Sequence, residues 1–204
     1  MLNSDQLVLF SSAALLLLIM PGPSVVFVTT QSIAGGVRAG LLTTLGLALG
    51  DFLQIALVSL MLAAVIAMSP VVLDYVKIFG ATYLLMLAMQ ILSSKSEEPG
   101  KVSIAGNRAI FWQAVVVNAT NPKTFLFFMS FLPTFVSTNS GSIGAQTFLL
   151  GLIFVLLGVG TNGAWAIGAG LSAYKLVTTR FGSLLQRQMP AFVFILFAVV
   201  LLKT

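Results

Sequence analysis

Four polar side chains interrupt stretches of the chain that are otherwise apolar, and they are the residues best suited to chemistry. Asp51 lies in one such stretch, and Asn118, Asn121 and Lys123 lie in another. Ionisable groups inside a membrane are costly and by default mark a path for a substrate, an ion or a proton. Asp51 is therefore either a proton or cation carrier, with Lys123 as a partner, or a polar contact that fixes helix packing. Lys123 either takes part in binding or extends its flexible stem toward lipid headgroups.

Two residue types that do much of protein chemistry are missing, because the chain contains no Cys and no His. Their absence excludes thiol redox chemistry and removes the commonest metal ligand and the usual neutral-pH base. The glycine-rich segments do not form a phosphate-binding loop, and no nucleophile stands beside a base. We therefore expect no enzymatic activity, no cofactor and no metal site. An ion exporter is an alternative that the scarcity of such ligands disfavours.

Prolines interrupt two apolar stretches about half a chain apart, at Pro21-Gly22-Pro23 and at Asn121-Pro122. Proline removes a backbone donor and breaks a helix, and freed backbone groups in a membrane must face protein or a water-filled cavity. Paired interruptions are typical of secondary-transporter sites, although a simple proline kink is the alternative for the first break. The half-helix that starts near Ser24 would offer free N–H groups to a carboxylate. The predicted substrate-binding residues are Pro21, Gly22, Pro23, Ser24, Asn118, Asn121, Pro122 and Lys123, and the predicted coupling residues are Asp51 and Lys123.

Composition indicates the environment in which these residues must work. The chain is 58% hydrophobic and 7% charged, with a mean hydropathy of +1.08, whereas a soluble domain carries about 25% charged residues. The bilayer must therefore be the solvent. The net charge of +5 comes without a clustered basic face, so nucleic acid is not an expected partner. Asp5 and the lack of Lys or Arg before the first apolar run favour a retained helix over a cleaved signal peptide.

The apolar segments predict an all-α membrane protein with about six transmembrane helices. They form two inverted three-helix repeats whose first and fourth helices are broken. The predicted spans are residues 7–30, 41–68, 71–92, 109–134, 145–171 and 190–202. Since a span needs about 20 residues, the short last segment leaves a five-span alternative open. The chain is predicted to be a single integral membrane domain, residues 1–204, with half one at 1–92, a cytoplasmic loop at 93–108 and half two at 109–204.

The distribution of basic residues predicts the orientation. With six spans, one side of the membrane holds Arg38, Lys95, Lys101, Arg108, Lys175, Arg180 and Arg187. The other side holds Lys203, with Lys77 near a helix end. Cytoplasmic loops carry the excess of Lys and Arg, so the basic loops are placed in the cytoplasm of a bacterial cell, in a multi-pass inner-membrane protein. Three spans in each half would insert the halves with opposite topology, as inverted repeats require.

Two glycine-containing faces favour close helix contacts. Gly46 and Gly50 form a small-xxx-small pattern before Asp51, which allows a homodimer but equally serves internal packing. The fifth segment carries Thr161, Asn162 and Trp165 beside glycines. This polar stripe either lines a cavity or holds helices together, and our interpretation favours the second role.

The order and spacing of several motifs resemble the amino-acid exporter family of the LysE/RhtB type. The motifs are Pro21-Gly22-Pro23, Gly36-Val-Arg38-Ala-Gly40 with Gly46 and Gly50, then Lys77, Gly80, Tyr83 and Leu84, and finally Asn118 to Lys123 with Phe128 and Leu132-Pro133. The chain departs from the family pattern at Ser24, Gln113-Ala114 and residues 189–203. The resemblance implies about six spans and efflux of amino acids or close derivatives, such as homoserine, threonine or leucine, driven by the proton motive force.

These observations lead to one expected function and one rival from another class. We expect a secondary transporter that exports amino acids by alternating access, with protons and membrane lipids as its other partners. The two half-helix ends would bind the carboxylate and the ammonium of the substrate, while Asp51 and Lys123 handle the coupling charge. The rival is a non-transporting integral membrane assembly protein, in which the breaks serve packing alone.

Overall fold

The computed structural model describes residues 4–20, 22–68, 70–93, 106–136, 141–171 and 180–203. These residues form helices and short connections, without a β-strand among them, as the sequence predicted. The helices are α1 (Ser4–Ile19), α2 (Pro23–Met68), α3 (Pro70–Ser93), α4 (Asn107–Ala119), α5 (Pro122–Phe131), a 3-10 turn (Leu132–Phe135), α6 (Ile143–Gly170) and α7 (Arg180–Lys203).

Both predicted breaks are places where the chain leaves helical geometry. The first lies between Ile19 and Pro23, and the second lies between Ala119 and Pro122. In each case a proline begins the next helix, where its missing N–H costs nothing and its fixed φ suits the first turn. The prolines therefore separate two helices and do not merely kink one. Pro21 falls outside the described residues.

Helix α2 is much longer than one bilayer crossing, and it bends at Gly36. This residue has φ 74° and ψ −179°, a conformation that only glycine adopts readily. The bend divides α2 into a first arm (residues 23–35) and a second arm (residues 37–68). The sequence predicted a connection between residues 30 and 41, but the helix continues through most of it and turns at one residue. Glycine makes this possible because it has no Cβ to oppose a positive φ.

Two helices of the described chain have the length and apolar composition that a membrane crossing requires. They are residues Pro23–Leu62 within α2 and Ile143–Gly170, which is α6. Helix α7 has 24 residues and begins ten residues before the predicted segment at 190–202. It is therefore longer than the sequence suggested, but its apolar part, Ala191–Lys203, is shorter than the roughly 20 residues of a full span.

The second arm of α2 packs mainly on α4 and α6, and α3 packs on α7. Contact with α4 is close at Gly46 and Gly50. A Cβ atom at Gly50 would lie 2.8 Å from the Cβ of Asn118, and one at Gly46 would lie 2.7 Å from the Cβ of Ala114. The small-residue face predicted from the sequence is thus occupied by α4 of the same chain.

The buried apolar residues form two clusters of unequal size. The large cluster is built around aromatic side chains, including Phe10, Phe127, Phe128, Phe154 and Phe197. The small cluster contains only four buried residues, which are Val28, Leu47, Ala114 and Ala166. The small cluster lies toward the bend at Gly36, since residue 170 at the end of α6 packs against Val37 there. The candidate site described below lies between these two clusters.

Candidate functional site

Lys123, from the second break, reaches into the first break. The last turn of a helix leaves carbonyl groups without intrahelical donors. The Nζ atom of Lys123 donates to the carbonyl oxygen of Leu17, in the last turn of α1, at 3.2 Å. A cation at this end of the helix also interacts favourably with the helix dipole. Lys123 therefore points into the protein at the break and not toward headgroups.

The same ammonium group lies against Gly22. A Cβ atom at this position would be 3.1 Å from Nζ and 3.6 Å from Cε of Lys123. A side chain larger than hydrogen at residue 22 would push the ammonium group aside. Gly22 thus has a packing role that backbone flexibility alone would not explain.

Gln54, in the second arm of α2, donates hydrogen bonds to backbone carbonyl groups at the second break. Its Nε2 atom donates to the carbonyl oxygens of Ala119 at 3.0 Å and Asn121 at 3.1 Å. The two breaks are therefore completed reciprocally. A side chain from the second half binds the carbonyl of the first break, and a side chain from the first half binds the carbonyls of the second.

A hydrogen-bonded network joins the two breaks directly. The Ser24 hydroxyl donates to Oδ1 of Asn118 at 2.8 Å and accepts from Nδ2 of Asn121 at 3.1 Å. Nδ2 of Asn118 also donates to the carbonyl oxygen of Leu47 at 2.6 Å. Oδ1 of Asn121 accepts from the backbone N–H of Lys123 at 3.0 Å and so caps α5. Residues almost a hundred positions apart are thereby held at one place.

The starts of α2 and α5 differ in whether a side chain caps the first turn of the helix. Asn121 caps α5 with its own side chain, whereas the residue that precedes α2 is Gly22, which has no side chain to do so. The first turn of any helix presents N–H groups that lack intrahelical acceptors, at the positive end of its dipole. The beginning of α2 and the Lys123 ammonium group thus bring two positive ends to the same point, an arrangement that favours an anion.

Asp51 is the acidic member of the site. Only 3% of its surface is exposed, and its Oδ1 atom has no hydrogen-bond partner among the described residues. The Asn118 side chain and the Lys123 ammonium group both interact with its carboxyl group. A buried polar atom without a partner is costly and calls for an explanation, such as a ligand that binds there. Asp51 therefore presents a free acceptor atom near the half-buried ammonium group of Lys123.

Asp51 and Lys123 line one small cavity between α1, α2, α4, α5 and α6. Its volume is ≈ 10 Å³, about the space that one water molecule needs. Binding of a larger molecule thus requires the walls to move. The lining residues are Leu18, Ser24, Val25, Asp51, Asn118, Lys123, Thr124, Phe154 and Asn162.

The structure brings most of the predicted site residues together. Ser24, Asn118 and Lys123 line the cavity with Asp51, while Gly22 and Asn121 contact the lining residues. The remaining prolines, Pro23 and Pro122, start helices and do not line the cavity.

Several lining residues escaped the sequence analysis. Asn162 was interpreted as a helix contact, yet it faces the cavity, and its polarity within an apolar segment was the available signal. Leu18, Val25 and Phe154 resemble any other residue of a membrane span, so no signal in the sequence marked them. Gln54, which binds the carbonyl groups of the second break, was not singled out by the sequence either.

The arrangement can bind a small molecule that carries both charges. The acidic group and the basic group lie at one cavity, and polar hydroxyl and amide groups surround them. Among the residues that the structure describes, no group of three His, Cys, Asp or Glu side chains could hold a metal ion. The chemistry on offer is therefore ionic and hydrogen-bonded recognition.

Comparison with known proteins identifies relatives of the chain. Residues 15–204 match the family described as LysE type translocator. A leucine efflux protein of Salmonella choleraesuis (strain SC-B67) is 32% identical over 140 residues, which cover 67% of this chain and 66% of that protein. A leucine efflux protein of Klebsiella pneumoniae (strain ATCC 700721 / MGH 78578) is 32% identical over 142 residues, which cover 68% of this chain and 67% of that protein. The alignments thus span about two-thirds of each relative's length. No solved structure matches the chain.

The family match extends across both helix breaks and over nearly the whole chain, so the resemblance inferred from the motifs is confirmed. The family consists of membrane translocators, which confirms the prediction of a transporter in place of an enzyme. The chain belongs to the LysE type translocator family.

Proposed function

We propose that this protein exports small neutral amino acids, leucine or similar molecules, in exchange for protons. One observation carries the proposal, namely that a buried acid and a half-buried ammonium group share a cavity between two helix breaks. A free amino acid carries an ammonium group and a carboxylate on one carbon atom, so it complements this pair. The leucine efflux proteins among the relatives support a substrate of this class.

The carboxylate of the substrate binds at the first break. The Lys123 ammonium group lies beside Gly22, which directly precedes α2, and Ser24 with its hydroxyl is the second residue of that helix. An anion at this point would gain a charge-assisted hydrogen bond from Lys123 and favourable interaction with the α2 dipole. Lys123 can exchange its bond with the Leu17 carbonyl for one with the substrate, because its stem is flexible.

The ammonium group of the substrate binds Asp51, at the free Oδ1 atom. Asp51 can hold either this ammonium group or a proton, because both occupy the same oxygen atoms. Entry of a proton from outside would release the substrate, and loss of the proton to the cytoplasm would prepare the carboxylate for the next molecule. This competition would couple export to the proton motive force without a second acidic site.

The membrane arrangement that we propose has six spans in two inverted three-helix repeats within the bacterial inner membrane. The paired breaks support it. The basic residues in short connections support a cytoplasmic location for those connections. A homodimer would have to use a face other than the one at Gly46 and Gly50, which α4 already covers.

The test is flux through purified protein in liposomes with an imposed proton gradient. We expect saturable, gradient-dependent movement of labelled leucine, and we expect it to be lost in Asp51→Asn. Asp5→Asn is the matched control because Asp5 is exposed in the first turn of α1. No saturable amino-acid flux in the wild-type protein would contradict export and favour an assembly role. Full gradient-driven flux in Asp51→Asn would contradict both the substrate-binding role and the coupling role of Asp51, and would leave export itself in place.

A further inference from the structure

We propose that the side chain of the transported amino acid lies beside Gly158, and that Gly158 and Leu18 together set the largest side chain that is accepted. The inference rests on the proposed function and adds the residues that select the substrate. The cavity also has an apolar part, and the charged groups proposed to bind the substrate give this part no role. Leu18, Val25 and Phe154 line the same cavity as Asp51 and Lys123.

These apolar residues come from three helices and form one wall. An apolar wall favours a substrate side chain without charge, because burying a charge there would require a partner. The charged part of the cavity would bind the groups common to all amino acids. The apolar wall would then be the part that distinguishes one amino acid from another.

One part of this wall is fixed in position. Phe154 is 1% exposed, and its ring lies 4.7 Å from that of Phe128 in an edge-to-face contact and 5.7 Å from that of Phe127. Such packing allows little movement. Leu18 is only partly buried, so its side chain is the part of the wall that can move to admit a substrate.

Gly158 follows Phe154 by one turn of α6 and separates the charged part from the wall. A Cβ atom at Gly158 would lie 3.6 Å from Oδ2 of Asp51 and 3.6 Å from Cδ2 of Leu18. When the ammonium group of an amino acid binds Asp51, the α-carbon lies next to it. The side chain of the amino acid extends from that α-carbon. The space that Gly158 leaves open between Asp51 and Leu18 is suited to receive it.

Two other glycines of α6 have surroundings that differ from those of Gly158. At Gly151 an added Cβ would overlap the side chain of Ile55, so that glycine serves helix packing. At Gly160, which is exposed, an added Cβ would meet nothing within 4 Å. At Gly158 a methyl group would fit at ordinary contact distances, and it would occupy the space without forcing the helices apart.

The experiment compares initial rates of leucine and alanine export in liposomes for Gly158→Ala and Gly160→Ala. Both changes replace glycine by alanine within α6, so both have the same effect on helix propensity. Gly158→Ala should lower the leucine-to-alanine ratio by about tenfold, as expected when about one methyl group is excluded from a pocket. Gly160→Ala should leave the ratio unchanged.

Leu18→Ala provides the opposite change and does not depend on the fold of the first variant. It enlarges the space, so the ratio of phenylalanine to leucine export should rise. Unchanged ratios in Gly158→Ala and Leu18→Ala, with leucine still transported, would overturn this inference and leave the proposed function intact. Equal loss of all substrates in Gly158→Ala would also overturn it. Absence of amino-acid flux in the wild-type protein would overturn both proposals.

Discussion

The Lys123 ammonium group and the Leu17 carbonyl oxygen are 3.2 Å apart, although 106 positions separate the two residues in the chain. This hydrogen bond places the one charged side chain of the second break at the open end of α1. It also holds the ammonium group within the cavity that Asp51 lines. The first prediction tests whether this lysine serves binding or only supports the fold.

Lys123→Ala should reduce leucine export by about ten- to a hundredfold. A hydrogen bond from a charged group contributes roughly 1.5–3 kcal/mol, which corresponds to this range of affinity. Export from preloaded cells, at equal protein level in the membrane, measures the effect. Lys203→Ala, an exposed lysine at the end of α7, is the control. Wild-type export by Lys123→Ala would rule out a binding role for Lys123.

Gly22→Ala should weaken substrate binding while the protein still folds. The added methyl group would lie 3.1 Å from the Lys123 nitrogen, and the flexible lysine side chain can move away from it. The half-saturating leucine concentration should therefore rise by about tenfold. Gly106→Ala, before α4, is the control because its added Cβ meets nothing within 4 Å. An unchanged half-saturation value would show that the position of the Lys123 ammonium group does not affect binding of the substrate carboxylate.

Gln54→Leu should destabilise the protein. It removes the side-chain donor of the Ala119 and Asn121 carbonyl oxygens. The Asn121 carbonyl still accepts from the backbone N–H of Phe125, so the cost of roughly 1–3 kcal/mol falls on the Ala119 carbonyl. The midpoint of thermal unfolding in detergent should fall by several degrees. Gln113→Leu makes the same change at an exposed position of α4 and should leave the midpoint unchanged. Equal midpoints for both variants would show that the second break needs no side-chain partner.

The small cluster should become accessible from the side of the basic loops. Each of its four residues lies three or four positions from a cavity residue on the same helix, as Ala166 does from Asn162. The cluster therefore closes one end of the cavity with a single layer. Since the chain has no native Cys, Ala166→Cys introduces one thiol for labelling. A membrane-impermeant thiol reagent should label it in inside-out vesicles, whereas labelling only in right-side-out vesicles would contradict the proposed orientation.

The sequence predicted the features that depend on a single residue type. Prolines marked both helix breaks, and the amides and ammonium group of the second break were visible because they stand in apolar surroundings. The bend at Gly36 was not located, since many glycines in this chain remain helical and only the backbone angles distinguish this one. The bond from Lys123 to Leu17 depends on how two distant breaks meet, and no local pattern encodes that. Gly158 was seen as part of a helix contact, because its neighbours in space, Asp51 and Leu18, belong to other helices.

The reciprocal hydrogen bonds of Lys123 and Gln54 have a mechanical consequence. Each half of the chain supplies the side chain that binds the open carbonyl groups of the other half. A displacement at one break therefore strains the bond that closes the other break. We therefore predict that the two discontinuities do not open as independent hinges. In the alternating-access cycle that we propose, the cavity between them would change the side to which it is open in one cooperative step.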